Sequence, residues 1–206
     1  MKKVPATFDF ENSLWNQNLN LIVGLDEVGR GAWAGPMVAA AVVFPKQLKL
    51  DFQLFDSKML SPKNRETLSE QIIDQALSYG IGQVEVGEIE KMGLAKANQV
   101  VFYRALEKLT QKPDHYLVDA FLLKFIPISK QTPIVHGDLY SASIAAASIV
   151  AKNFRDKLMI KLSQEYPNYS FEAHKGYGTK LHQEAINRNG LTDIHRKNYH
   201  LNFLDV

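Results

Sequence analysis

One stretch near the N-terminus, residues 21–36, constrains the fold more than any other part of the chain. It reads Leu-Ile-Val-Gly-Leu-Asp-Glu-Val-Gly-Arg-Gly-Ala-Trp-Ala-Gly-Pro. The apolar run from Leu21 to Leu25 is typical of a central strand, and two adjacent carboxylates, Asp26 and Glu27, follow it. Buried carboxylates are costly unless a partner or a metal compensates their charge. Because successive strand side chains point to opposite faces, both acids should reach one site only if the strand bends or ends there.

The residues after the two acids predict a loop that can approach a ligand closely. Gly29 and Gly31 flank Arg30, and glycine adopts backbone conformations that other residues resist. An arginine in such a loop can bind a phosphate, and the bare glycine N–H groups can approach a ligand backbone. The loop also suits a hairpin to a second apolar run, Met37–Phe44, which Pro45 stops.

The remaining pattern predicts a single α/β domain spanning residues 1–206. The length fits one domain, and 46% apolar residues are enough for a core. After the first two strands, helices and strands alternate; helices are predicted over 61–80, about 94–109 and 141–166, and strands over 81–86, 115–118 and 134–136. We therefore expect a mixed central sheet flanked by helices, plus a C-terminal helical segment at about 166–200. In such open sheets the functional site lies beyond the carboxyl ends of the strands.

Composition excludes several classes of function. The absence of cysteine removes disulfides, thiolate catalysis and cysteine-ligated zinc. No secretory signal and no membrane-spanning run is evident, so we expect a soluble cytoplasmic protein. From residue 151 onward there are 9 Lys and Arg against 6 Asp and Glu, a net +3, whereas the first 150 residues carry 15 against 16, a net −1. The C-terminal part is the candidate side for an anionic ligand, although a solvated basic surface is the simpler interpretation of charge alone.

Four carboxylates fall at or just beyond predicted strand ends: Asp26, Glu27, Asp119 and Asp138. Neighbouring strands lie about 4.8 Å apart, so these acids can converge. An oxygen-only ligand set favours magnesium or manganese over zinc, and two ions roughly 3.5–4 Å apart can clamp a phosphodiester. Asp119 or Asp138 taken alone is explained as well by a turn or a helix cap. His136 could be a ligand, but an ordinary strand-end histidine is the simpler interpretation.

Several motifs, in order along nearly the whole chain, resemble ribonuclease HII, a type 2 ribonuclease H. They are Asp26-Glu-Val-Gly-Arg-Gly31, Asp56-Ser-Lys58, Leu117-Val-Asp119, His136-Gly-Asp138, the small-residue helix Ser143–Asp156, His174-Lys-Gly-Tyr-Gly-Thr179 with His182, and Gly190-Leu-Thr192 with His195-Arg196. The sister type, ribonuclease HIII, has a similar acidic pair but lacks the arginine of Gly-Arg-Gly and usually carries an extra N-terminal domain. Arg30 and the chain length favour the HII type, in its short bacterial form.

The resemblance implies a ribonuclease H-like fold and a monomeric endoribonuclease that cuts RNA in RNA–DNA hybrids and 5′ of single ribonucleotides in duplex DNA. It implies two Mg²⁺ or Mn²⁺ ions held by the four acids. It also implies substrate contacts by the Gly29-Arg30-Gly31 loop, which would read the 2′-hydroxyl, and by Tyr177, which would stack on the sugar past the junction. Further substrate contacts are expected from the polar and basic residues Ser57, Lys58, Lys152, Arg155 and Lys175. A ribonuclease HIII-like enzyme, another two-metal nuclease such as a junction resolvase, and a non-catalytic hybrid-binding protein are the alternatives.

The chain departs from the family pattern at a few positions outside the four acids. His136 stands where many members have lysine, and Ser170 replaces a usual glycine. Leu191 and Asp193 replace prolines, and Asn198-Tyr199 replaces Ser-Phe. The tail Leu201-Asn-Phe-Leu204 faintly resembles peptides that dock on a replication clamp, although ordinary packing of a C-terminus is the simpler interpretation. Local substrate contacts, rather than the chemistry, are where these departures should act.

Overall fold

A mixed five-stranded sheet forms the centre of the computed structural model, which describes residues 4–199. The strands are β1 (Ile22–Val28), β2 (Met37–Val43), β3 (Ser78–Val84), β4 (His115–Asp119) and β5 (Gln131–Ile134), in the order β3-β2-β1-β4-β5. The pairs β1–β2 and β2–β3 are antiparallel, whereas β1–β4 and β4–β5 are parallel. The predicted mixed sheet is confirmed, with β1 at its centre.

Helices cover both faces of this sheet. They are α1 (Asp9–Trp15), α2 (Pro62–Gln75), α3 (Val86–Met92), α4 (Leu94–Leu106), α5 (Ala142–Glu165), α6 (Phe171–His174) and α7 (Lys180–Asn189). One core cluster joins α4 to the face that carries Val23 and Leu25, and another joins α2 and α5 to the face that carries Val38 and Ala40. None of the helices found between residues 4 and 199 is long and apolar enough to span a membrane.

The alanine- and serine-rich sequence of α5 lets its backbone contact β1 directly. A Cβ placed on Gly24 would lie 2.1 Å from the carbonyl carbon of Ser143, so only glycine fits at that strand position. Ser141 caps the helix, since its hydroxyl accepts a hydrogen bond from the backbone N–H of Ile144 at 3.2 Å. The prediction of a long helix over 141–166 is therefore confirmed to within a residue at each end.

Several predicted boundaries are wrong, for reasons of tertiary packing. The helix expected to reach Gly80 ends at Gln75, and Gly80 lies inside β3. Glycine is required there because a Cβ on Gly80 would lie 2.1 Å from the carbonyl oxygen of Ala105 in α4. The strand predicted over 81–86 is consequently displaced to β3, and Val86 begins α3. The helix predicted to end at 109 ends at Leu106.

Two further strands also differ from expectation. The first strand does not end at the acids, because β1 pairs with β2 through Asp26↔Ala40 and Glu27↔Ala39 to Val28. The last strand, predicted over 134–136, is β5 over residues 131–134 and contains Pro133. Proline is tolerated there because β5 is an edge strand.

The C-terminal segment folds as α6 and α7 against the end of α5. Ala34, which follows the Gly-Arg-Gly loop, and Met159 of α5 share a core cluster with Tyr169, Phe171 and Ile186 of this segment. The predicted C-terminal helical segment is confirmed as α6 and α7, and its last helix ends at Asn189 rather than near residue 200. His200 and the clamp-like tail Leu201–Leu204 lie outside the described residues.

Candidate active site

All four predicted carboxylates line one cavity of about 480 Å³, here called the acid cavity. It opens where β1 and β4 end, and its lining includes the side chains Asp26, Glu27, Ser57, Lys58, Asp119, His136, Asp138, Ser148, Lys152 and Tyr177. The structure thus brings together the acids and four of the predicted substrate-contact residues from six separate chain segments.

The register of β1 and β4 brings the first three acids together. The parallel pairing stops at Leu25↔Val118, so Asp26 and Asp119 are the next residues of neighbouring strands. Glu27 follows on β1, where β4 no longer separates the two faces of the sheet. Both adjacent acids therefore line one cavity although β1, which was expected to bend or end at them, continues to Val28.

The fourth acid, Asp138, lies in a tight turn after β5. His136 adopts a left-handed conformation (φ 56°) and precedes the 3₁₀ turn Gly137–Leu139, which carries Asp138. The backbone N–H of Gly137 donates a hydrogen bond of 2.7 Å to Oδ1 of Asp119. This bond fixes the segment that bears Asp138 against the end of β4.

Asp26 and Asp138 are buried, Glu27 and Asp119 are half-buried, and the pKa values of all four acids are raised. Burial, followed by the charges of Glu27 and Asp119, raises the pKa of Asp26 well above its ordinary value. Burial and then Asp119 raise the pKa of Glu27 to about 7, and burial is also the main cause of the raised pKa values of Asp119 and Asp138. Oε2 of Glu27 is buried without a hydrogen-bond partner in the described part of the chain. The cavity therefore holds more negative charge than its own residues compensate.

Two lysines at the cavity carry positive charge. Burial disfavours the charged form of Lys58, but the neighbouring acids Asp56, Asp138, Asp26 and Asp119 outweigh it, so the pKa of Lys58 is raised. Lys152 pairs with Asp156 one turn further along α5, and burial lowers its pKa. Ser57 is buried, and its hydroxyl forms a 3.0 Å hydrogen bond with the hydroxyl of Ser148. Lys58 is thus the cavity lysine whose charge acts on the acids, and Arg30 acts on Glu27 as well.

The donor set fits a hard divalent cation, although the side chains do not form a closed ligand shell. Carboxylate oxygens without sulfur ligands suit Mg²⁺ or Mn²⁺, and the unpartnered Oε2 of Glu27 is a free donor atom. Within residues 4–199, however, no group of three or more His, Asp or Glu side chains is arranged to hold one ion. Closing the shell requires rotation of acid side chains around an ion.

The buried side chain of Arg155 packs against the Gly-Arg-Gly loop and binds the backbone that follows it. Arg155 is fully buried and donates to the carbonyl oxygens of Pro36 (2.9 Å), Lys175 (2.8 Å) and Ala34 (3.1 Å). A Cβ on Gly29 (φ 84°) would lie 2.1 Å from Nε of Arg155. This placement does not support the predicted phosphate contact by Arg155, because its guanidinium donates to backbone carbonyls of residues 34–36 and of the C-terminal segment.

A second arginine, which the sequence analysis assigned no role, fixes the same loop. Arg196 is buried and donates from Nη1 to the carbonyl oxygen of Arg30 (2.8 Å) and from Nη2 to that of Gly35 (2.8 Å). The Arg30 side chain itself is exposed and lies over the ring of Phe121, 4.8 Å from its centroid. Arg196 is therefore a positioning residue, and only its place in the C-terminal motif could have indicated it.

Tyr177 and Lys175, two neighbours in sequence, have different surroundings. Tyr177 lines the acid cavity, with Nζ of Lys152 5.9 Å and Cζ of Arg155 5.3 Å from its ring centroid. Lys175 is left-handed (φ 53°) and its ammonium donates to the carbonyl oxygen of Glu172, away from the cavity lining. A phosphate contact by Lys175 at the acids is not supported by this placement.

Three buried histidines, here called the histidine cluster, lie beneath Tyr177: His174, His182 and His195. The rings of His174 and His182 stack with centroids 4.3 Å apart, and Nε2 of His182 lies 3.1 Å from Nε2 of His195. Burial, as the main cause, lowers the pKa values of His182 and His195 to about 4. All three imidazoles are therefore neutral near pH 7.

The hydrogen bonds of the histidine cluster fix one tautomer for each ring. Nε2–H of His174 donates to the carbonyl oxygen of Tyr169, and its Nδ1 accepts from the N–H of Gly176. Nδ1–H of His182 donates to the carbonyl oxygen of Tyr177, so its Nε2 must accept from Nε2–H of His195.

The third ring completes this arrangement. Nδ1 of His195 accepts from the N–H and the hydroxyl of Thr192 at 2.9 and 2.8 Å. Every ring nitrogen in the cluster has a partner of the right kind. The cluster braces the backbone that carries Tyr177.

The mixed sheet, the helices on both faces and the acid cavity at the ends of β1 and β4 define a class, the α/β proteins of ribonuclease H-like fold. Solved structures of this class superpose on the chain. The ribonuclease H2 of Pyrococcus horikoshii matches with a TM-score of 0.70 at 25% identity, over 87% of this chain and 94% of that one. In the fold alone, the chain also resembles the ribonuclease HII of the PCNA complex from Archaeoglobus fulgidus (TM-score 0.70, 22% identity, 88% and 96%) and Bst-RNase HIII in complex with Mn²⁺ (0.62, 20%, 83% and 63%).

Sequence comparison gives the family. The family model for ribonuclease HII matches residues 23–202. The ribonuclease HII of Dehalococcoides mccartyi strain 195 is 46% identical over 191 residues, 92% of this chain and 90% of that protein. That of Clostridioides difficile is 47% identical over 195 residues, 95% and 76% respectively. The chain belongs to the ribonuclease HII family and is an endoribonuclease of the ribonuclease H type.

Proposed function

We propose that this endoribonuclease incises duplex DNA on the 5′ side of single embedded ribonucleotides, besides cutting the RNA strand of hybrids, and that it does so with Mg²⁺ or Mn²⁺. One observation carries the proposal: four mutually repelling carboxylates share one cavity whose rim includes Tyr177 and, nearby, a rigidly held Gly-Arg-Gly loop. The proposal treats residues 1–206 as a single catalytic domain.

The acids would hold the metal ions. Asp26, Glu27, Asp119 and Asp138 would supply the oxygen ligands. When bound, the ions supply Lewis-acid stabilisation of the charge that develops on the reacting oxygens and make water a stronger nucleophile. Without that compensation the four carboxylates repel a phosphodiester, which supports a metal-dependent reaction over metal-free hydrolysis.

The loop and Tyr177 would select the junction. The Gly29-Arg30-Gly31 backbone is bound by Arg196 at the carbonyl oxygen of Arg30 and lies against Arg155 at Gly29. It would offer its peptide groups to the 2′-hydroxyl, the feature that distinguishes RNA from DNA at a site. Tyr177 would stack on the sugar that follows the ribonucleotide.

Lys58 would orient the phosphate next to the acids, with Ser57 beside it in the cavity lining. Lys152 would support the same phosphate less directly, because it is paired with Asp156. Water would attack in line and leave 3′-hydroxyl and 5′-phosphate ends.

Cleavage of a labelled DNA duplex carrying one ribonucleotide tests the proposal. The matched substrate replaces that ribonucleotide by its 2′-deoxy form, and each is incubated with Mg²⁺, with Mn²⁺ and with a chelator. We expect incision 5′ of the ribonucleotide with either metal, none with chelator and none on the deoxy duplex. Activity confined to long hybrids would contradict the junction specificity, and cleavage in chelator would contradict the metal requirement.

A further inference from the structure

A second concave surface lies on the opposite face of the sheet from α5, beside the Gly-Arg-Gly loop. It encloses about 790 Å³ between α4, the end of α3 and the segment that follows β4. We call it the α4 groove; its lining includes Arg30, Met92, Lys96, Asn98, Phe121 and Lys124. Asp119 lines the acid cavity and Phe121, two residues later, lines the α4 groove, so the two surfaces meet at the end of β4.

The charge of the α4 groove is opposite to that of the acid cavity. Its lining contains the exposed cations Arg30, Lys96 and Lys124 and no carboxylate. Within residues 4–199 none of these three cations forms a salt bridge; the ion pairs found there join other residues. The charge of Arg30 also acts on Glu27, where it opposes the rise in pKa, so Lys96 and Lys124 are the cations left to attract a polyanion to this concave surface.

The walls of the groove are fixed to each other by one side chain. Gln99 of α4 donates from Nε2 to the carbonyl oxygen of Leu122 (3.0 Å) and accepts at Oε1 from the N–H of Lys124 (2.7 Å). The ring of Phe125 packs edge-on against Tyr103, with centroids 5.5 Å apart. Lys96 on α4 and Lys124 in the segment after β4 therefore lie on two elements that are bound to each other.

A buried acceptor in the lining lacks a donor. Asn98 is only 3% exposed, and its Oδ1 has no hydrogen-bond partner among the described residues. Buried polar atoms are almost always paired, so an unpaired one in a groove wall indicates a ligand group. A hydroxyl or amino group would satisfy this oxygen, and nucleic acids offer both beside their phosphates.

We propose that the α4 groove binds the sugar–phosphate backbone of the duplex that flanks the cleavage site, with Lys96 and Lys124 on phosphates and Asn98 accepting from a hydroxyl or amino group. This inference rests on the proposed function, since it assigns a second contact region to the same substrate. Arg30 joins the two regions, because its backbone belongs to the glycine loop and its side chain stacks on Phe121 in the groove.

The test is the salt dependence of binding by the double variant Lys96→Gln/Lys124→Gln. The matched control, Lys108→Gln/Lys161→Gln, removes the same charge from exposed lysines outside the linings of both surfaces. Binding of a fluorescent RNA–DNA hybrid is followed by anisotropy in chelator, so that no cleavage occurs. Each lost phosphate contact makes the negative slope of log K against log salt shallower by roughly 0.9. The slope of the groove variant should therefore be shallower than that of the wild type by about 1.8, and the slope of the control should match the wild type. Equal slopes for the two variants would overturn the proposal.

Shortening the duplex from one end at a time distinguishes a contact at the α4 groove from attraction by the overall positive charge of the protein. The weakening caused by the groove variant should vanish when one particular flank is removed and persist when the other is removed. Equal weakening on every duplex would refute a contact at the groove. Failure of the proposed function has a different signature, because it would leave the wild type unable to incise the single-ribonucleotide duplex whatever the lysines do to binding.

Discussion

The acid cavity and the histidine cluster both bury titratable side chains, yet the two regions solve the problem of burial in opposite ways. Burial disfavours charge in both, so the pKa of Glu27 rises to about 7 and that of His182 falls to about 4. In the cluster every ring nitrogen has a partner, whereas Oε2 of Glu27 has none among the described residues and the acids repel one another.

This difference separates a structural region from a functional one. A fully satisfied polar network rigidifies its surroundings, and here it holds the backbone of Tyr177. An unsatisfied cluster of like charges stores unfavourable energy until a ligand of opposite charge arrives. The predicted variants below test whether each region behaves as its hydrogen bonds require.

The largest expected effect is on catalysis at the acid cavity. Asp26→Asn keeps the shape of the side chain and can still accept the 2.7 Å hydrogen bond from the N–H of Glu27, but it removes a ligand charge. We expect cleavage of the single-ribonucleotide duplex to fall by at least about 10²–10³-fold, a typical effect of losing one electrostatic group at a reacting centre.

The control for this variant is Asp74→Asn, which makes the same change at an exposed position on α2. Initial rates under saturating Mg²⁺ measure both. Near-wild-type cleavage by Asp26→Asn would remove the acid cavity from the chemistry.

A smaller effect is expected at Tyr177, whose backbone the histidine cluster supports. Tyr177→Phe keeps the ring over the cavity and should retain most of the activity, whereas Tyr177→Ala removes the ring that would stack on the sugar and should lose about 10-fold or more. The stacking of a base on an aromatic ring, about 1–3 kcal/mol, sets the scale of this effect. Rates on the single-ribonucleotide duplex measure both variants. Equal rates for Phe and Ala would contradict a stacking role, and a large loss in Phe would indicate that the hydroxyl is needed.

The two regions also predict opposite pH dependences of stability in metal-free buffer. The pKa of Glu27 is raised from 4.5 to about 7 in the folded protein, so its contribution favours folding at low pH and is lost as pH rises through that window. The pKa of His182 is lowered from 6.5 to about 4, so its contribution is present above pH 6.5 and is lost as pH falls toward 4.

Urea denaturation from pH 4 to 8 separates the two contributions by comparing Glu27→Gln with the wild type. The variant should lose part of the decline in unfolding free energy between pH 4.5 and 7, because Asp26, Asp119 and Asp138 also have raised pKa values, and it should keep the loss toward pH 4. An unchanged profile would mean that Glu27 ionises normally in the folded protein.

Local patterns predicted much of the fold and the four acids. Ser141 before α5 and Ser61-Pro62 before α2 are capping signals that act within one turn, and both helices begin there. Gly80 was misread as a helix end because its requirement comes from Ala105 on another element. The acids could be found because strand ends meet at one edge of a sheet whatever the rest of the chain does.

The supporting residues could not be predicted in the same way. Arg155 looks like a phosphate ligand in sequence, and only the fold shows its guanidinium surrounded by carbonyl oxygens of Ala34, Pro36 and Lys175. The replacement of a family glycine by Ser170 did carry a signal, since Ser170 adopts the left-handed conformation (φ 54°) that glycine favours. Long-range hydrogen bonds leave no periodic pattern, so sequence identifies the reacting groups better than the groups that position them.

The most direct test of the account is the free energy of unfolding of Asp26→Asn and His182→Ala, measured by urea denaturation at pH 7 in chelator. Neutralising one of four repelling acids should leave the fold as stable as the wild type or more stable. Removing a histidine whose two nitrogens are both paired should destabilise it by about 1–3 kcal/mol. Opposite responses of the two regions are the predicted result; destabilisation of similar size in both variants would contradict the claim that the acid cavity, unlike the histidine cluster, awaits a ligand.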